Sequence, residues 1–175
     1  MTRTFSRLII VSAIVSTAAI ASADVIGIRA QLGYHWSGSF ELRNGNDGTM
    51  SGLDAGIDFP MGNLAGIQLY ASPSVVFGGR FGSTGIEGHI YRFTISGRRQ
   101  ISPDGLYATA SAGLAHSQAS ASEEFRSANG FVGSIGLGVP LKFSFAGLTP
   151  NLEGRYYFSA EDQFRGFTIG FSVNF

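Results

Sequence analysis

From Phe167 to Phe175 apolar and small polar residues alternate without a break. Phe167, Ile169, Phe171, Val173 and Phe175 share one parity; Thr168, Gly170, Ser172 and Asn174 share the other. Side chains of a β-strand alternate between two faces, so this segment is a strand with one greasy face and one small polar face. In water such a strand would be a sticky edge. As the closing strand of a barrel in an outer membrane, it would rest its apolar face on lipid.

Seven earlier segments show the same period of two: Val25 to Trp36, Met50 to Phe59, Leu64 to Phe77, Gly88 to Arg98, Leu106 to His116, Phe131 to Phe143 and Asn151 to Phe158. In the second, Leu53, Ala55, Ile57 and Phe59 oppose Asp54, Gly56 and Asp58; in the fourth, Tyr91, Phe93 and Ile95 oppose Arg92, Thr94 and Ser96. The fifth is the weakest, being rich in Ala, Ser and Gly. Eight alternating segments of about ten residues predict an all-β fold, an eight-stranded antiparallel up-and-down transmembrane β-barrel. Short turns are expected at Pro60-Met61-Gly62-Asn63, Ser102-Pro103-Asp104-Gly105 and Ser144 to Thr149. Ser37 to Thr49 and Ser117 to Asn129 are long and polar, with Gly78 to Glu87 and Ser159 to Arg165 intermediate. Long loops outside and short turns inside would put both ends of the barrel domain in the periplasm. Pro73 and Pro140 fall within strands, where a missing donor calls for a bulge or a shortened strand.

The N-terminus has the plan of an export signal. Arg3 and Arg7 precede an apolar run from Leu8 to Ile20, and Ala21-Ser22-Ala23 offers a small-residue cleavage site. The run is short for a spanning helix, which needs about 20 residues. Residues 1–23 are therefore expected to be a signal peptide cut after Ala23, with Ala21 and Ala23 as the recognised positions, and 24–175 to be the barrel domain. The chain has no cysteine, which excludes a disulfide framework and thiolate metal sites. Removing Arg3 and Arg7 from the twelve basic residues leaves ten against twelve acidic ones, so nucleic acid is not an expected partner.

Alternation alone does not say which face is outside, because a soluble barrel alternates with its apolar face inward. A soluble barrel needs a heavily charged exterior, about 25–35% Lys, Arg, Glu and Asp. Only 14% of this chain is charged, and the second face of the last strand is Thr, Gly, Ser and Asn. The second faces also carry charges of both signs, Asp54, Asp58 and Glu153 with Arg29, Arg92, Arg98, Lys142 and Arg155. Eight strands enclose an interior that side chains can fill, and charges placed there must pair. A lumen network of Arg29, Asp54, Asp58, Arg92, Lys142, Glu153 and Arg155 is the expectation. Phe59, Phe143 and Phe175 fall at one set of strand ends, and Tyr34, Trp36, Phe77, Phe131, Phe158 and Phe167 at the other, as two interfacial girdles would.

With these features the chain resembles the small outer-membrane β-barrels of the OmpA-transmembrane-domain/OmpX type. The most specific element is a C-terminal pattern of polar residue, glycine, hydrophobic residue and final aromatic at Thr168, Gly170, Val173 and Phe175. The resemblance implies that the outer-membrane assembly machinery reads these four positions. It also implies residence in the cell outer membrane, among outer-membrane lipids and lipopolysaccharide, as a monomer.

Catalysis finds no constellation. Some relatives of this class are lipid A-modifying enzymes, and a deacylase would need a serine beside a histidine. His35 and Ser37 could share a face, His116 and Ser117 would point apart, and His89 has no serine two residues away. No third group orients any of these pairs. Asp47, Glu123, Glu124, Glu161 and Asp162 lie in loops without the regular oxygen spacing of a calcium site. No metal, cofactor or catalytic residue is expected. The leading function is a structural or surface-interaction barrel acting in envelope integrity or loop-mediated contact. A narrow passive pore is the alternative, suggested by small inward residues such as Gly33, Gly56, Ser134, Gly136 and Gly138; a lipid A-modifying enzyme ranks last.

Overall fold

A computed structural model describes residues 27–37, 40–41, 47–81, 86–119, 127–144 and 148–175. Eight long strands form the wall: β1 (Arg29–Ser37), β4 (Met50–Leu64), β5 (Ile67–Phe81), β6 (Ile86–Gln100), β7 (Tyr107–Ala119), β8 (Ala128–Pro140), β9 (Pro150–Ser159) and β10 (Gly166–Asn174). Two short strands, β2 (Phe40–Glu41) and β3 (Asp47–Gly48), pair with each other between β1 and β4. Each wall strand pairs antiparallel with its sequence neighbour, and β1 pairs with β10 to close the barrel. Closure removes the exposed edge that the apolar β10 would otherwise present.

Exposure fixes the orientation of the two faces. Leu32, Phe93, Leu114, Ile135 and Phe171 are exposed on the outside, Phe93 at 61% and Leu114 at 67%. Arg29, Asp58, Arg92, Glu153 and Arg155 are buried in the lumen. The apolar parity thus faces outward along the wall and the small or charged parity faces inward. Tyr34, Trp36, Phe131, Phe158 and Phe167, assigned to one girdle, are exposed, as are Phe143 and Phe175 of the other.

Several boundaries differ from the sequence expectation. Pro60 to Asn63 is not a turn but the end of β4, which carries a register shift between Pro60 and Gly62. The turn lies at Ala65-Gly66, whose φ values of 51° and 79° give the left-handed pair that matches hairpin twist. The Asn63 side chain accepts the Gly66 amide proton at 3.0 Å and secures it. Pro73 sits in β5 with neither bulge nor shortening; it faces Phe93 of β6 in unbroken register. Proline φ is compatible with a strand, so only its missing donor is lost. At Pro140 the strand does end, which leaves Leu141 to Phe143 outside β8. The weakly patterned fifth segment is a full strand of 13 residues, held by both neighbouring ladders. The proposed signal peptide, its Ala21 and Ala23 included, and the acids Glu123 and Glu124 lie outside the described residues.

Gly33 and Gly170 face each other across the closing seam. A Cβ on Gly170 would stand 2.5 Å from both the Leu32 carbonyl oxygen and Gly33 Cα, which are backbone atoms and cannot move aside. Gly170→Ala should therefore lower stability by about 1–3 kcal/mol through overpacking. Gly97→Ala, which would meet side-chain methyls, Ile67 Cγ2 at 3.0 Å and Leu69 Cδ2 at 3.8 Å, should cost less. Urea midpoints of the two variants in the same detergent check the difference; equal midpoints would mean the seam is not rigid.

Candidate functional site: a filled lumen

Register brings the inward charges together. Arg29 of β1 lies directly opposite Asp58 of β4. Its Nε donates to Asp58 Oδ2 at 2.7 Å, and Nη1 donates to Glu153 Oε2 at 2.9 Å. Glu153 and Arg155 are two residues apart on β9, hence on one face, and Arg155 Nε donates to Glu153 Oε1. The Tyr107 hydroxyl adds a bond to Glu153 Oε2 at 2.8 Å. Glu153 is thus shared between two guanidiniums and a phenol.

A second layer lies nearer the long loops. Arg92 Nη1 donates to Asp54 Oδ2 at 2.8 Å, and the Thr168 hydroxyl donates to the same oxygen at 3.0 Å. His35 Nδ1 stands 2.9 Å from Thr168 Oγ1, and Arg92 Nη2 is 3.3 Å from His35 Nε2. A neutral imidazole protonated on Nδ1 donates to Thr168 and accepts from Arg92, which satisfies both contacts. The Arg92 guanidinium also lies 4.0 Å from the Tyr157 ring centroid, a cation–π contact. Three arginines and three carboxylates therefore form two layers of ion pairs with no net charge. Hydroxyl pairs Ser72–Ser96 and Ser111–Ser134, at 2.6 and 2.7 Å, occupy other inward positions.

Lys142 joins none of these pairs. Because β8 stops at Pro140, the alternation that would have aimed Lys142 inward has ended, and its side chain is exposed. Conversely, the sequence reading passed over His35, Thr168, Tyr107 and Tyr157 as members of the cluster. Their inward parity was the available signal.

Above the charged layers the lumen is apolar. Met50, Val76, Ile90, Ala115, Val132 and Tyr157 pack around Phe164, which is fully buried. Phe164 comes from a 3₁₀ turn, Asp162–Phe164, in the loop between β9 and β10. Gly130 provides the seat, since a Cβ there would stand 2.8 Å from the Phe164 ring. The loop acid Asp162 pairs with Arg165 at 2.6 Å on the surface. A cavity of about 20 Å³ touches Asp54, Glu153, Arg155 and Ser172, room for a single water.

The remaining nominated residues have local settings. Thr168 is tied to Asp54, Gly170 packs on Gly33, Val173 is half-buried and Phe175 is exposed, its amide donating to the Ile28 carbonyl at 2.9 Å. Ser37 Oγ accepts the Met50 amide, while His116 pairs with the Asn129 side chain at 2.8 Å and stacks near Tyr91.

No family model matches the chain, and no curated protein does. Solved structures do resemble it. Neisserial surface protein A is 12% identical with a TM-score of 0.50, over 84% of this chain and 95% of that one. The Yersinia pestis outer membrane protein Ail in a phospholipid bilayer nanodisc is 15% identical with a TM-score of 0.49, over 85% and 99%. The N-terminal β-barrel domain of Pseudomonas aeruginosa OprF is 15% identical with a TM-score of 0.42, over 85% and 98%. At such identities the likeness to Neisserial surface protein A concerns the fold, that of a small eight-stranded barrel.

Proposed function

We propose that the chain is an integral outer-membrane barrel with a closed lumen, which serves the envelope as a structural or surface-contact protein through its lipid-facing wall and its long loops. The observation that carries this reading is the inversion of the two faces: large apolar side chains cover the outside while charges are paired within. Water would not favour that arrangement, but a bilayer does. The short turns then face the periplasm and the long loops the exterior, in contact with lipopolysaccharide. Thr168, Gly170, Val173 and Phe175 serve the assembly machinery, and the barrel is a monomer.

A passive pore finds less support, because ion layers and the Phe164 plug fill the lumen. A lipid A-modifying activity also finds less, since His35 is engaged by Thr168 and Arg92, and His116 by Asn129.

The test is gel mobility of residues 24–175 folded into detergent, with and without boiling. A heat-dependent shift is expected of a closed, SDS-resistant barrel. No shift, together with solubility without detergent, would overturn the membrane reading. The variant Phe93→Arg sharpens it. Phe93 projects from the middle of β6, 61% exposed. A charge near the bilayer midplane costs about 2–4 kcal/mol, so the variant should lose that much stability in vesicles. A soluble barrel would tolerate it.

A further inference from the structure

At the short-turn end the lumen opens into a polar vestibule of about 420 Å³. Its walls include Asn63, Gln68, Tyr70, Arg98, Gln100 and Tyr107, and none of its described lining residues is acidic. Arg98 differs from the lumen arginines. Its guanidinium carbon lies 3.5 Å from the Tyr107 ring centroid, and it makes no ion pair or hydrogen bond among the described residues. Stacking holds the guanidinium plane against the ring and leaves the N–H edge free. The nearest carboxylate layer is already committed, since Glu153 serves Arg29, Arg155 and the Tyr107 hydroxyl.

Two amide groups also have no acceptor for their NH₂ ends among the described residues. Gln68 Oε1 accepts the Tyr70 hydroxyl at 2.9 Å, and Asn63 Oδ1 accepts the Gly66 amide at 3.0 Å. Each bond fixes the oxygen end and leaves the NH₂ group for something else. The vestibule therefore presents one oriented cation and neutral N–H donors, with no acidic side chain among its described lining residues.

We propose that this vestibule binds a carboxylate-bearing solute, with Arg98 as its bidentate anchor. A planar, singly charged carboxylate matches one guanidinium fork; a doubly charged phosphate would call for further cations. The carboxylate belongs either to a peptide C-terminus or to a free small acid. The proposal rests on the membrane reading only for which compartment supplies the ligand.

The experiment is a titration of the folded barrel in micelles, followed by NMR shifts of the Arg98 side-chain Nε–H. The probes are N-acetyl-alanyl-alanine, its C-terminal amide, acetate and inorganic phosphate. Saturable shifts at millimolar carboxylate are expected, as suits a few charge-assisted bonds in an open site. The amide should give none. The better of the two carboxylates identifies the source. Backbone shifts of the vestibule residues, read in the variants, should show binding weakened about tenfold or more by Arg98→Gln and less by Arg98→Lys, which keeps the charge but not the fork. Equal shifts with the amide, tighter binding of phosphate, or no saturation by either carboxylate would overturn the proposal. Heat-modifiability of the same sample separates that outcome from failure of the barrel itself.

Discussion

Glu153→Gln should destabilise the barrel by about 3–5 kcal/mol, the cost of removing one partner from a buried ion pair. Glu153 is the shared acceptor of the lower layer: Arg29 has Asp58 as a second carboxylate, but the ion pair of Arg155 is with Glu153 alone among the described residues. The glutamine keeps the shape and removes the charge, so Arg155 is left buried without a counter-ion. Asp58→Asn should cost less, because Arg29 retains Glu153. Pairing Glu153→Gln with Arg155→Met should recover much of the loss, since neutralising both sides of a buried pair is often close to neutral. Urea unfolding in one detergent, with unchanged denaturant slopes, measures all three. A loss below about 1 kcal/mol for Glu153→Gln, the range of an exposed pair, would mean that lumen water solvates Arg155.

Phe164→Ala should lower stability by about 3–5 kcal/mol, as expected for truncating a fully buried phenylalanine. The site cannot collapse easily, since Met50, Val76, Ile90 and Val132 are held by four different wall strands. The same variant should not conduct in planar bilayers. Its ion layers remain, with Arg92 held by Asp54 beneath the plug. Reproducible single-channel steps from Phe164→Ala alone would make the aromatic cap, rather than the charged layers, the barrier. Unchanged stability would place Phe164 outside the cooperative unit.

The wall of this barrel was legible because an apolar outside and a small or charged inside impose one alternating rule on its strands. Phe167 to Phe175 shows it without exception, and the same parity places Arg29, Asp54, Arg92 and Glu153 inward. What was not legible depends on register and on where a strand stops. Arg29 meets Glu153 across 124 positions of sequence, and no local pattern encodes that meeting. Lys142 keeps the right parity but falls two residues beyond the end of β8. The turn after β4 was misplaced because Pro60-Met61-Gly62-Asn63 has turn-like composition, whereas the ladder continues to Leu64. The plug was hidden for a further reason. Val76, Ile90 and Val132 break the small-or-polar rule of the inner face one at a time, on three strands, and their partner Phe164 comes from a loop. Each looks like an exception until closure stacks them together.

The pairing of β1 with β10 makes the covalent order of the wall arbitrary. Residues 28 and 175 are joined by a backbone hydrogen bond, so a short linker could connect the present ends and a new break could be made in an outer loop. Such a circular permutant would keep every neighbour in the ring. It would also move Thr168, Gly170, Val173 and Phe175 from the terminus into the middle of the chain. A permutant that refolds in detergent yet fails to reach the membrane in cells would separate two kinds of information in one strand: the ladder that closes the cylinder, and the delivery address proposed for its last residues.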